Sequence, residues 1–244
     1  MNSLTPYLKE ARYDALSVVR TPAFVLPALA FPLMFYLFFG VFFRAGGGAD
    51  YLLVTYSCFG IMGPALFNFA TGIASDRAHG WLTLKQLAAV PFAAYLLGKL
   101  STSLLFSLAI MALLFSAAAG PGNVELTAGQ WLQLSATLLV GTLPFAVLGL
   151  VLGLWLSDKA APGVVNLLYM PMAFLSGLWL PLFLFPDWLQ QLAWLWPSFH
   201  LSQLGLKIIG ADLGFASAWH LGILALQTLL LALVARRLFS RISS

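Results

Sequence analysis

Charged residues fall in short clusters, and six uncharged stretches separate them: 21–43, 51–75, 100–124, 126–157, 160–186 and 213–235. An α-helix needs roughly 20 mostly apolar residues to cross a bilayer, and all six stretches reach that length. They predict a single all-α membrane domain over 1–244. Its six transmembrane helices lie at about 22–43, 51–74, 100–120, 131–156, 162–184 and 217–236. A seventh uncharged stretch, 188–206, carries Gln190, Gln191, Pro197, Ser198, His200, Ser202 and Gln203. Unpaired, such groups are costly in hydrocarbon. It is read as outer re-entrant or interfacial helices within about 186–212, not as a span.

Two shorter segments show helical periodicity. In 4–20, Leu4, Leu8, Ala11, Ala15 and Val19 recur on one face, with Lys9, Glu10, Arg12 and Asp14 elsewhere. Pro22 separates this segment from the first span, so an interfacial amphipathic helix is expected. In the connection between the second and third spans, Trp81, Leu84, Leu87 and Ala88 share a face, and Thr83 and Lys85 lie on another. Gly80 and Pro91 bound this short helix. From spacing alone it is either a docking element for a soluble partner or a connector lying on lipid.

Composition removes the soluble alternatives. The chain is 61% hydrophobic and 8% charged, against about 45–50% and 25% in ordinary soluble domains. The net charge of +4 would suggest nucleic acid in a soluble protein, but here the basic residues sort by membrane side. With six spans and an internal N-terminus, ten of the 12 lie inside: Lys9, Arg12, Arg20, Arg77, Lys85, Lys99, Lys159, Arg236, Arg237 and Arg241. Only Arg44 and Lys207 lie outside. Both termini are therefore expected in the cytoplasm, with lipid and not nucleic acid around the chain. Trp131 and Trp219 at outer ends, and Trp155 at an inner end, fit an aromatic belt. The first apolar run is too long for a signal peptide and follows Glu10 and Asp14. Cys58 is the one cysteine, so neither an internal disulfide nor a cysteine zinc site is expected.

Catalytic patterns are missing. His79, His200 and His220 form no H-E-x-x-H pair, and no G-x-S-x-G elbow occurs. Gly98-Lys99 is followed by Leu100, and Ala93 stands at the earlier glycine position of a phosphate-binding loop. No metal or cofactor is expected on this chain. All eight acidic residues lie outside the span centres, which argues against an ion-driven carrier or a charged-ring channel. Within the spans, Asn68, Thr71, Thr142, Asn166, Tyr169 and Gln227 either line a pathway or join helices. Gly149 and Gly153 form G-x-x-x-G, a close-packing pattern.

Two stretches, in order on six spans, resemble the ABC-2 type family of ABC-exporter permeases. The first is Asp76-Arg77-Ala78-His79-Gly80-Trp81-Leu82-Thr83-Leu84-Lys85-Gln86-Leu87, then Pro91 and Leu97-Gly98-Lys99. The second is Phe174-Leu175-Ser176-Gly177, then Pro181, Pro186-Asp187-Trp188-Leu189 and Trp196-Pro197. Arg20-Thr21-Pro22, and Phe31-Pro32 near Gly40, look like the family's start. His79, Trp81 and Lys85 depart from the residues usual around that glycine.

The resemblance implies a non-enzymatic transport subunit in a bacterial cytoplasmic (inner) membrane. Two permeases would pair, as a homodimer or heterodimer. Each would dock a separate ATPase that binds ATP and Mg. Arg77, Gly80, Trp81, Leu84, Lys85 and Leu87 would belong to the coupling helix, and Ser176, Gly177, Pro181, Pro186, Trp188 and Pro197 to the outer re-entrant region. Cargo exported by such proteins includes amphiphilic drugs, lipids and glycans. Two other classes stay open on residues alone: a stand-alone secondary carrier, and an intramembrane lipid-modifying enzyme using His200 or Asp187.

Overall fold

The computed structural model describes residues 4–43, 48–88 and 90–242. Arg44 and the first glycines of the Gly46-Gly47-Gly48 tract lie outside the described residues. Every regular element among those described is helical. In order they are α1 (Thr5–Val19), α2 (Pro22–Phe35) with a π-helical continuation (Tyr36–Phe42), α3 (Ala49–Ala78), α4 (Trp81–Leu87), α5 (Phe92–Ala119) and α6 (Ala128–Val140). Then follow α7 (Thr142–Trp155), α8 (Ala161–Leu175), a 3-10 turn (Leu182–Leu184), α9 (Asp187–Ala193), α10 (Pro197–Ile208) and α11 (Ser217–Ile242).

α3 is the axis of the bundle. Its 30 residues make it about 45 Å long at 1.5 Å per residue, and it is buried along nearly its whole length. Asp50 in the first turn and Arg77 in the last suit the helix dipole. α7 lies directly against it. A Cβ on Gly149 would sit 2.6 Å from the Leu66 carbonyl oxygen, and one on Gly153 2.8 Å from that of Phe69. The G-x-x-x-G pattern is thus a backbone-to-backbone contact. α2 and α11 flank the bundle and expose most of their apolar surface.

Among the described residues, five helical segments are long and apolar enough to cross a membrane: Pro22–Phe42, Ala49–Ala78, Phe92–Ala119, Ala128–Trp155 and Ser217–Ser240. The helix expected over 162–184 is shorter than predicted. α8 has 15 residues, about 22 Å, short of the roughly 30 Å hydrocarbon core. It ends because Gly177 takes φ +76, and Pro181, lacking an N–H, cannot extend the ladder. The helix expected over 131–156 divides at Gly141, where Leu201 of α10 occupies the space a side chain would need. The third helix starts at Phe92, well before the expected 100, so Lys99 lies within it. Likewise α3 runs on to Ala78 and carries Asp76 and Arg77, which were expected in the connection.

The segment read as re-entrant, 186–212, holds α9 and α10, with Pro186 before the first and Pro197 opening the second, while the 3-10 turn after Pro181 lies in the stretch expected to end the fifth span. Four of the segment's buried polar side chains are paired, whereas Gln191 is exposed. Ser198 bonds Ser176, His200 faces the Trp194 carbonyl, Ser202 donates to the Phe199 carbonyl, and Gln203 accepts from the Leu213 N–H.

Candidate functional site

The chemistry-bearing residues concentrate where α1, α4 and the start of α5 meet the end of α3. Gly98 provides the seat for α1. A Cβ there would stand 3.0 Å from the carbonyl carbon of Glu10 and 3.2 Å from the Ala11 nitrogen. The next residue, Lys99, has a side chain only 4% exposed. Its Nζ lies 3.0 Å from Asp14 Oδ1 and 3.6 Å from Asp76 Oδ2. Gly72 leaves room for the ammonium, since a Cβ there would stand 2.6 Å from Nζ. Asn68 Nδ2 donates to Asp14 (3.2 Å) and to the Lys99 carbonyl (3.1 Å), and the Tyr95 hydroxyl donates to Asp76 (2.6 Å). A buried ammonium is prohibitive alone; two carboxylates offset its desolvation.

A second ion pair joins Lys85 of α4 to Glu10 of α1. Both lysines also face the Tyr95 ring, at 5.0 and 5.2 Å from its centroid. These pairs turn both short helices inside out. α1 points Glu10 and Asp14 at the bundle and exposes Leu4, Leu8, Tyr13 and Val19. α4 turns Lys85 inward and leaves Trp81, Leu84 and Leu87 54%, 53% and 79% exposed.

Asp76 and Arg77 adjoin but fasten different helices. Asp76 faces α5, whereas Arg77 Nη1 donates to the carbonyls of Gly153 (2.9 Å) and Leu156 (3.3 Å) at the end of α7. A cation there complements the α7 dipole. Arg77 is thus turned into the bundle, away from the exposed face of α4. Gly80, at φ +74, makes the left-handed turn that ends α3 and releases α4. A cleft of about 400 Å³ lies behind α4, lined by Arg77, Leu82, Thr83, Asp158 and Phe239 among others.

The residues expected along a pathway do not converge within one chain. Asn68 is buried in the charge cluster. Thr71 bonds its own helix, Thr142 pairs with Ser107 at 3.3 Å, and the Tyr169 hydroxyl donates to the Phe59 carbonyl. Asn166 alone of these is exposed, partway along α8. Of the outer residues, Ser176 and Gly177 end α8, and Trp188 stands exposed on α9. No group of three metal-ligating side chains occurs among the described residues.

The sequence assigns Lys85 and Lys99 to the inner side and Glu10 and Asp14 to the polar positions of an amphipathic helix, and does not show their pairing. One signal was present. Glu10 and Asp14 lie four apart on one helical face, where like charges repel unless a cation meets them.

The profile of the ABC-2 family transporter proteins matches residues 43–237. The chain belongs to the ABC-2 transporter family. It is similar to YvfS of Bacillus subtilis (strain 168), which bears a transport-permease name. The two are 27% identical over 207 residues, 82% of this chain and 84% of that one. The ABC-2 assignment makes this chain a transport permease. The matched region contains Asp76, Lys85 and Lys99, while their α1 partners Glu10 and Asp14 precede it.

Proposed function

We propose that this permease is the membrane subunit of an ATP-driven exporter and that α4 seats in a separate ATPase subunit. The supporting observation is the orientation of α4. Lys85 is turned inward to Glu10, and the exposed side is Trp81, Leu84 and Leu87. A helix that hides its cation and offers apolar side chains, at an end where α1 is anchored by charge, is built to meet a protein. The partner supplies ATP and Mg binding; α1 and α4, joined through Glu10–Lys85, receive its movement together.

The chain crosses a bacterial cytoplasmic membrane six times, with both termini inside. Phe239 of α11 stacks on Phe92, seven residues before the Lys99 that holds α1. This supports an even number of crossings. α8 and its following turn form the short crossing, since the Trp179 carbonyl meets the Tyr56 hydroxyl near the start of α3. α1 lies in the inner interface with Leu4, Leu8 and Val19 toward lipid. The permease acts as a dimer. Exposed Asn166 supports an α8 face turned to a second subunit or to the pathway, because a polar amide in lipid is costly. Uncharged span centres favour an amphiphilic drug, lipid or glycan moved outward.

Affinity purification of the tagged permease from detergent-solubilised membranes, read by mass spectrometry, tests this. A stoichiometric ATPase should accompany the native chain and be lost with Trp81→Glu plus Leu84→Glu. A partner-free native preparation would favour a stand-alone carrier. An ATPase retained by the variant would overturn the docking face.

A further inference from the structure

At the end of the bundle opposite Lys99, two histidines twenty positions apart meet. His200 of α10 and His220 of α11 are 0% and 1% exposed, and their Nδ1 atoms lie 3.0 Å apart. His200 Nε2 lies 2.9 Å from the Trp194 carbonyl oxygen. A carbonyl only accepts, so His200 carries its proton on Nε2, and its Nδ1 is the bare acceptor. His220 therefore donates from Nδ1. Its own Nε2 is left as a lone pair, buried and without a partner.

The pair sits in an aromatic box. Trp194 stacks on the His220 ring at 6.0 Å between centroids, while Phe199 and Phe215 meet it edge-on. Burial holds the His200 imidazole below its ordinary value, against the opposing pull of its bond to Trp194. The other charges bearing on the pair are Lys207 and Asp212, themselves joined at 3.2 Å.

We propose that His200 and His220 form an acid-sensitive latch that closes α10 onto α11. The first added proton goes to His220 Nε2, the free lone pair. It creates a buried N–H with no acceptor, a group that native structures rarely tolerate. Relief comes when α10 parts from α11 and water reaches the ring. A second proton, on His200 Nδ1, removes the acceptor that joins the two helices. The latch stands apart from the ATPase-docking reading, since it needs only the α10–α11 contact.

Hydrogen–deuterium exchange of the intact permease in nanodiscs, corrected for intrinsic rates, tests it across pH 7.5 to 5. In the native chain, opening of α10 should increase as pH falls below about 6.5, by up to about tenfold per pH unit for one proton. In the double variant His200→Gln plus His220→Asn it should stay flat, because the amides can keep the bond to the Trp194 carbonyl and the bond between the helices, and neither titrates. A flat native profile, or the same rise in both proteins, would overturn the latch. If the variant fails to fold, ¹⁵N-histidine spectra of the native chain decide. At pH 7.5 they should show neutral rings with protons on His200 Nε2 and His220 Nδ1; any other protonation would overturn it.

Discussion

Lys99 of α5 holds Asp14 of α1 at 3.0 Å, and the same ammonium reaches Asp76 of α3 at 3.6 Å. One buried cation thus ties together an N-terminal helix, the central helix and the helix that follows α4. The glycine before it lets α1 come near enough for the pair to form. Gly98-Lys99, met in sequence as a failed phosphate loop, is a docking seat for α1 followed by its counter-charge.

Lys99→Ala should destabilise the permease by up to about 3 kcal/mol, because it leaves the partly buried carboxylates of Asp14 and Asp76 without their cation. Thermal unfolding in detergent reads the loss. Lys99→Met combined with Asp14→Asn should recover part of it; no recovery would mean that packing, not charge, holds α1.

Gly149→Ala and Gly153→Ala should each cost about 1–3 kcal/mol by overpacking. The added Cβ meets backbone oxygens of α3 at 2.6 and 2.8 Å, which cannot rotate away. Unchanged unfolding temperatures would contradict the close α3–α7 contact.

Arg77 and Trp81 should separate stability from partner binding. Arg77→Ala leaves the α7 carbonyls without their donor and should lower stability by about 1–3 kcal/mol, with Arg77→Lys intermediate. Trp81→Glu, on an exposed site, should leave the unfolding temperature near native while weakening ATPase binding. If Arg77→Ala instead left stability untouched, its bonds to Gly153 and Leu156 would carry no weight.

Much of the helical architecture was legible because hydrophobic length reports helices directly. The apolar face of α4 and the close packing at Gly149 and Gly153 were also readable from spacing. The early end of α8 was not. A run of apolar residues looks continuous until Gly177 is known to adopt a left-handed conformation. The break at Gly141 depends on Leu201, sixty positions away. The inward turn of α1 follows from Lys85 and Lys99, which local periodicity places at the membrane surface and not against Glu10 and Asp14. His200 and His220 escaped for the same reason: their partnership exists only once α10 packs on α11.

Site-specific photo-crosslinking in native membranes tests most directly whether α4 seats in an ATPase. A photo-crosslinking residue at Leu84, exposed on α4, is compared with one at Leu108, exposed along α5. Seating of α4 should give an adduct from Leu84 to an ATP-hydrolysing subunit and none from Leu108. No ATPase adduct from Leu84, or equal adducts from both positions, would contradict it.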